Sequence, residues 1–374
     1  MARIFHCGFE YGRPLDRGDL VAGGPDNGTT DGSLWRGWID TWGVITRRAG
    51  VSSVYRMYVG ETTSGAGAAR LGRDLEANLK EHFGRIKFET RARAGTGYQE
   101  ILALNDGNGD KVAAIRVQRP AGEDFVNMRL YLGNTSVAQA TECFAVNTEV
   151  RIEWRLLVDE TSGVFTLKLN GGDILSYAGN TKGANMESIR TVLLGGYTVE
   201  NRGYYDDVAI NDTVDDGSGN NTWVGPGSIR LLRPKAVGNY TNFAPSDGVS
   251  QNWEMVRERP YGSASYVISD TPENIDTYKV EQLEADLGIE VESEGFEIKA
   301  VQTLLVAMWA EGLQKAQRVL RSGAVDNLGN EITLVNAYVR HRDEIFSVSP
   351  FTSSKWTVEE LDDLEIGVKH KDVS

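Results

Sequence analysis

The stretch EVRIEWRLLVDETSGVFTLKLNG, residues 149–171, decides the fold. In its first half charged and apolar residues alternate: Arg151, Glu153 and Arg155 against Ile152, Trp154 and Leu156. A period of two gives an extended strand one solvent-exposed face and one buried face, as in an antiparallel sandwich. The links DETSG (159–163) and LNGGD (169–173) supply residues that tolerate a positive φ. They therefore predict hairpin turns.

The same alternation continues on both sides of this stretch. It is found in RIKFETR (85–91), QEILALND (99–106), KVAAIRVQ (111–118), NMRLYLG (127–133), IRTVLLGG (189–196) and YYDDVAIN (204–211). Upstream, residues 2–10, 33–48 and 52–60 are expected to add strands, and residues 69–84 are expected to be extended rather than helical, because strands flank them. Turn clusters every eight to twelve residues indicate an all-β protein, a β-sandwich of antiparallel strands with meander topology.

After Ile210 the character of the chain changes. Residues 211–226, NDTVDDGSGNNTWVGP, are polar, acidic and rich in glycine, which is typical of a linker. A second block follows that also shows mostly β patterning. Near its end Thr357 and Glu360 form a capping-box pattern that predicts one helical turn before the strand LEIGVKH. The predicted organisation is a sandwich domain over residues 1–211, a Gly/Asp-rich linker over 212–226, and a smaller β domain over 227–374 that serves as an assembly interface.

Composition excludes several classes of function. The 374 residues carry a formal net charge of -14, which argues against binding to nucleic acid, because such proteins concentrate Lys and Arg into patches. The first residues, MARIFHCGFEYG, contain no apolar signal-peptide region, and no stretch approaches a membrane span. Cys7 and Cys143 lie far apart without metal-ligand spacing, which indicates synthesis in a reducing cytosol and no structural zinc.

The order of these motifs carries a family resemblance. The run from EILALNDGNGDKVAAIRV through VRIEWRLLVDETSGVFTLKLNGGDILSYAG to YYDDVAIND resembles the concanavalin A-like (laminin-G-like) jelly roll. Together with ARIFHCGFE at the start, GSIRLLRP and the terminal WTVEELDDLEIGVK, the whole chain resembles virion structural proteins of tailed bacteriophages, often described as tail-fibre or tail-associated proteins.

The resemblance implies a non-enzymatic structural component of a phage virion, on the tail or tail fibre and assembled in the host cytoplasm. It would contact other virion proteins and form a homo-oligomer with cyclic symmetry, for which a trimer suits a fibre. The alternatives are a carbohydrate-binding adhesin for a host surface glycan, a capsid decoration protein and, least favoured, a polysaccharide hydrolase.

The candidate site residues each have a structural alternative. The Asp206/Asp207 pair in YYDDVAIND is adjacent, so its carboxylates are expected on opposite faces of a strand, unlike the paired acids of retaining glycosidases, which project from one strand. The DGNGD run at 106–110 lacks most of a calcium loop and predicts a hairpin turn.

Two further sets of residues are candidates for ligand contact. Trp35, Trp38 and Trp42 cluster within ten residues and are candidate carbohydrate contacts, with core or interface packing as the alternative. Asp212, Asp215 and Asp216 are candidate Ca²⁺ ligands at the sandwich rim, with a solvated loop as the alternative. No other cofactor is expected.

Overall fold

The computed structural model describes residues 3–7, 36–39, 43–49, 55–61, 69–90, 97–183, 186–196, 202–257, 264–291, 296–309, 314–336 and 339–371. Within them the chain is built almost entirely of antiparallel strands, and the prediction of an all-β fold with a jelly-roll sandwich is confirmed. Residues 69–84 are extended, as predicted, and the segments upstream of them also contribute strands.

One sheet of the sandwich has eight strands in the order β13-β12-β11-β6-β15-β4-β3, with β1 paired to β15. These strands are β1 (Arg3–Cys7), β3 (Gly43–Ala49), β4 (Tyr55–Glu61), β6 (Glu81–Thr90), β11 (Glu149–Leu157), β12 (Gly163–Leu169), β13 (Gly172–Gly179) and β15 (Arg202–Asn211).

The facing sheet has seven strands in the order β10-β9-β8-β7-β14-β5-β2. They are β2 (Arg36–Ile39), β5 (Ala69–Leu79), β7 (Gln99–Asn105), β8 (Lys111–Gln118), β9 (Phe125–Leu132), β10 (Thr135–Ala145) and β14 (Ile189–Gly196).

Among the described strands of the sandwich, the predicted meander holds for two runs, β7 to β10 and β11 to β13, and for the β3–β4 hairpin. Elsewhere the prediction is wrong: β6 pairs with β11 and β15, and β14 pairs with β5 and β7, so distant parts of the chain become neighbours. Alternation specifies which face of a strand is buried, but it does not specify which strand lies beside it.

The core lies between the two sheets, and Trp154 is its largest fully buried side chain. The indole of Trp154 occupies the space over Gly84 on the neighbouring strand, where an added Cβ would lie 2.0 Å from the ring. On another strand the hydroxyl of Tyr205 donates to the carbonyl oxygen of Ile101 in the opposite sheet, at 3.0 Å. This bond satisfies a carbonyl at an irregularity in the β7–β8 ladder.

The second β region, residues 234–371, follows a stretch with no described strand. Its main sheet has the order β16-β19-β24-β21-β22, and two pairs, β17-β18 and β20-β23, accompany it. The strands are β16 (Pro234–Thr241), β17 (Ala244–Pro245), β18 (Val267–Ile268), β19 (Ile275–Val280), β20 (Val301–Ala307), β21 (Lys315–Ser322), β22 (Val325–Thr333), β23 (Val339–Phe346) and β24 (Glu365–Lys371).

The five-stranded sheet is strongly curled. Tyr240 on β16 and Asp326 on β22 belong to its two outer strands, yet the Tyr240 hydroxyl donates to Asp326 Oδ2 at 2.9 Å. In a flat sheet four inter-strand steps would separate these strands by about 19 Å. A separate core that includes Val280, Leu320 and Trp356 fills this region.

Two short helices complete the described part of the second β region. The predicted helix is α2 (Val358–Asp362), and both halves of its Thr357/Glu360 capping box are formed. The other helix, α1 (Asn252–Arg257), lies in the block for which the sequence indicated mostly β structure. In the described part of the chain no helix is long and apolar enough to cross a membrane.

Candidate functional site

The acidic pair on β15 lies at a β-bulge. Asp206 is opposite Lys87 and Ala209 is opposite Arg85, so one extra residue interrupts the ladder, and Asp207 has a φ of 48°. Tyr205 and Val208 on either side of the pair both point into the core. The prediction that the two carboxylates lie on opposite faces is therefore wrong, because the bulge turns Asp206 and Asp207 to the same outer face of the eight-stranded sheet.

Both carboxylates are buried and are bonded to other groups of the protein. Asp207 is 2% exposed, its Oδ2 lies 2.6 Å from Lys87 Nζ, and its Oδ1 accepts the backbone N–H of Ile229 at 2.7 Å. Asp206 Oδ1 accepts the backbone N–H of Asp207 at 2.8 Å. A glycosidase needs two carboxylates that reach a substrate. The carboxylates of Asp206 and Asp207 instead bond to groups of this chain.

A segment that we call the strap, residues 212–233, covers this outer face. Arg85 donates from Nη1 to the Gly225 carbonyl oxygen at 3.1 Å, while the Gly225 N–H donates to Glu153 Oε1 at 2.7 Å. Arg85 also donates from Nε to the Asp207 carbonyl oxygen. Burial lowers the pKa of Arg85 from its usual value, against the opposing effect of the Asp207 and Glu153 carboxylates. The charged groups on this face thus hold the strap rather than a ligand.

Packing and contacts to the second β region fix the strap further. Trp223 packs edge-on against Phe83 and lies under the Lys168 ammonium, which is 4.1 Å from the ring centre. Asn220 is 1% exposed and donates from Nδ2 to the Lys299 carbonyl oxygen at 2.6 Å. The sequence indicated a polar linker here. The structure shows a partly buried segment with partners in both β regions.

The candidate calcium ligands lie at the start of the strap. Asp212, Asp215 and Asp216 each accept a backbone N–H two residues further along, which is the Asx-turn arrangement. Burial raises the pKa of Asp212. Asp212 lines a shallow cavity of about 450 Å³ together with Asp159, whose pKa is lowered by the Ser162 and Thr161 N–H groups.

The structure does not assemble a carboxylate cage around these residues. Within the described ranges, no group of three or more His, Cys, Asp or Glu side chains is arranged to hold a metal ion. Calcium binding by Asp212, Asp215 and Asp216 stays a prediction.

The other candidates have different outcomes. Trp35 and Trp42 lie outside the described residues, and Trp38 is described only as part of the β2 backbone, so carbohydrate contact by these tryptophans stays a prediction. The DGNGD run forms the predicted turn between β7 and β8: Asp106 Oδ1 accepts the N–H groups of Asn108 and Asp110 at 2.9 and 2.8 Å.

The outer face of the seven-stranded sheet carries a row of charged and polar side chains. Register places Glu100, Arg116, Arg129 and Gln139 side by side on β7, β8, β9 and β10, and we call these four residues the arginine row. Neighbours along each strand, such as Ile115 and Leu130, point into the core. The alternation of the strands therefore directs the row away from the core.

Each arginine of the row lies over a tyrosine ring. Arg116 lies 4.0 Å above the ring centre of Tyr131, and Arg129 lies 3.9 Å above that of Tyr98. Glu100 Oε2 pairs with Arg116 at 3.3 Å and with Lys111 Nζ at 2.6 Å. The contact with the ring restrains each guanidinium, which carries its N–H donors at its edge.

The two arginines differ in their other partners. Arg129 donates from Nε to the exposed Gln139 Oε1 at 2.7 Å, and within the described ranges no carboxylate pairs with Arg129. The sequence reasoning missed this row, although both arginines stand at outward positions of strands that it identified. The signal was available in the hairpin register, which sets Arg116 opposite Arg129 across a short turn.

Comparison with known proteins gives similarity in fold only. No protein-family model matches the chain, and no curated protein matches it. Among solved structures, the cellulose-induced protein Cip1 is 16% identical with a TM-score of 0.37, over 50% of this chain and 93% of that one. The T. cruzi calreticulin globular domain is 13% identical with a TM-score of 0.36, over 56% of this chain and 88% of that one.

A Bacillus subtilis protein of unknown function with a galectin-like fold is 14% identical with a TM-score of 0.31, over 54% of this chain and 97% of that one. None of these three likenesses identifies a site residue in this chain.

Proposed function

We propose that the chain is a non-enzymatic structural component of a bacteriophage virion, located on the tail or its fibre apparatus. The proposal rests on the resemblance in motif order along the whole chain, and the strap is the structural observation that carries it. A particle component must hold its parts in fixed relation while it contacts neighbours. A free, solvated linker would not do this, whereas a strap bonded to Glu153 on one side and to the Lys299 carbonyl on the other does.

The non-enzymatic part of the proposal has its own support. Asp206 and Asp207 are the acidic pair that the sequence singled out, and they lie under the strap at 6% and 2% exposure. Neither carboxylate is available to protonate or attack a glycosidic bond. A reducing-sugar assay on host capsule is expected to show no release above the buffer control, and release by the purified chain would contradict this part.

The assembly part of the proposal places contacts between copies in the second β region. Val325 and Leu328 on its edge strand β22 are exposed by 57% and 43%, and exposed apolar groups on an edge strand favour association. A cyclic homo-oligomer, with a trimer as the form expected of a fibre, is the proposed state. Sedimentation equilibrium of the purified chain tests it, and a monomer at all concentrations would contradict it.

The experiment for the particle role is detection of the chain in purified virions. Mass spectrometry of particles banded on a density gradient is expected to find it at a stoichiometry fixed relative to a known tail protein. Its presence in the lysate together with its absence from the particles would contradict the proposal. The adhesin alternative is favoured by a separate observation, the arginine row.

A further inference from the structure

The cross-strand arrangement of Arg116 and Arg129 needs a physical reason. Like charges directly opposite each other on neighbouring strands repel and destabilise the pair. Glu100 compensates one of them, but it is shared with Lys111. The arginine row together with Lys111 therefore carries three cationic groups and a single carboxylate, within a chain whose overall charge is -14. A local excess of positive charge on an acidic protein indicates an anionic partner.

The form of the row limits what that partner is. A guanidinium is planar and carries its hydrogen-bond donors as a fork at its edge, the geometry that matches a carboxylate. The exposed Gln139 amide lies at one end of the row, and amides bind hydroxyl groups in either direction. Four adjacent strands span about 14 Å, the length of a short oligosaccharide. Two arginines are too few for a site that tracks the phosphates of a nucleic acid.

We infer that the arginine row is a binding site for a carboxylate-bearing saccharide, a uronic-acid type of glycan, with Arg116 and Arg129 as the groups that bind its carboxylates. This inference rests on the adhesin alternative and not on the virion role. Its test uses the purified full chain in solution. Failure of the site would leave the particle assignment standing, and absence from particles would leave the site standing.

The first experiment measures binding by isothermal titration calorimetry. Oligogalacturonate is compared with the same oligomer after methyl esterification, which removes the charge and keeps the rings. The wild-type chain is expected to bind the acidic oligomer at least tenfold more tightly than the ester. Equal binding of the two oligomers, or no binding of either at 10 mM, would overturn the inference.

The second experiment compares variants. R129Q is expected to weaken binding of the acidic oligomer roughly ten- to hundredfold, the loss that accompanies one charge-assisted hydrogen bond. R129K keeps the charge and loses the planar guanidinium, and its affinity for the acidic oligomer is expected to lie between those of the wild type and R129Q. The matched control is R119Q, since Arg119 is a partly exposed arginine near the end of β8 that pairs with Asp124 in the next turn. Its binding is expected to equal that of the wild type.

Two further results distinguish a saccharide site from general attraction between charges. Thermal unfolding without ligand is expected to change the Tm of R129Q by only a few degrees, because the substitution removes the contacts with Tyr98 and Gln139 but also relieves the repulsion between Arg116 and Arg129. If R129Q and R119Q weaken binding equally, general electrostatic attraction accounts for the affinity and the inference fails. It also fails if inorganic polyphosphate competes as well as oligogalacturonate, because the site would then recognise charge without the sugar.

Discussion

Replacing His82 with glutamine is expected to reduce the loss of stability that acid causes. His82 is fully buried on β6, and its Nε2 accepts the Trp154 Nε1–H at 3.0 Å. This bond requires a neutral imidazole nitrogen as acceptor. Burial lowers the pKa of His82 from 6.5 to about 3, because the core cannot solvate the imidazolium. In the unfolded chain the same group titrates near its ordinary value.

The size and sign of the effect follow from these two values. Below pH 6.5 the unfolded chain takes up a proton that the folded chain does not, so stability falls as the pH is lowered from about 6.5 towards 3. At 1.36 kcal/mol for each pKa unit, a drop from neutral pH to pH 5 costs about 2 kcal/mol through His82 alone. The loss stops growing only when the pH approaches the folded-state pKa, where the folded chain takes up the proton as well.

Urea unfolding at pH 7, 6 and 5 measures this effect in the wild type and in H82Q. Glutamine cannot titrate, and its amide oxygen can still accept the Trp154 N–H. Other groups titrate alike in both proteins, so the difference between their free energies of unfolding isolates His82. That difference is expected to shift by about 2 kcal/mol in favour of H82Q between pH 7 and pH 5. A difference that stays constant across this range would refute the reasoning.

Two other substitutions probe the sandwich and the strap. G84A is expected to lower the free energy of unfolding by about 1–3 kcal/mol, because its Cβ would lie 2.0 Å from the Trp154 ring. Urea unfolding measures this loss. G97A is the control, because its Cβ would have no atom within 4 Å, and its free energy of unfolding is expected to change little. E153Q is expected to weaken the charge-assisted hydrogen bond from the Gly225 N–H. Amide hydrogen exchange in the strap is then expected to be faster than in the wild type. An unchanged exchange rate in the strap would show that the bond to Glu153 does not hold it in place.

Local patterns made much of the fold predictable from the sequence. The alternation around Trp154, the turn residues at 169–173 and the Thr357 capping box each specify structure through neighbours a few residues away. These features appear in the structure as predicted. The order of strands does not follow from them, because pairing of β6 with β15 joins residues more than a hundred positions apart.

The candidate sites depended on such distant contacts and were predicted less well. Asp206 and Asp207 share a face of the sheet only because of a β-bulge, and the two-residue alternation of the sequence does not predict a bulge. The strap has the composition of a linker, yet its backbone forms hydrogen bonds with the buried charged side chains of Arg85 and Glu153. The arginine row is different: its four strands follow one another in the chain, but the row can be recognised only once the register of each hairpin is known.

The proposed role as a part of the phage tail is tested most directly by immunogold labelling of purified virions with an antibody raised against the chain. One image then reports both the presence of the chain in the particle and its location. Gold is expected on the tail or its fibres, with none on particles that lack the chain. Gold confined to the capsid would contradict the tail location in favour of a decoration protein, and unlabelled virions from a lysate that contains the chain would contradict the particle role itself.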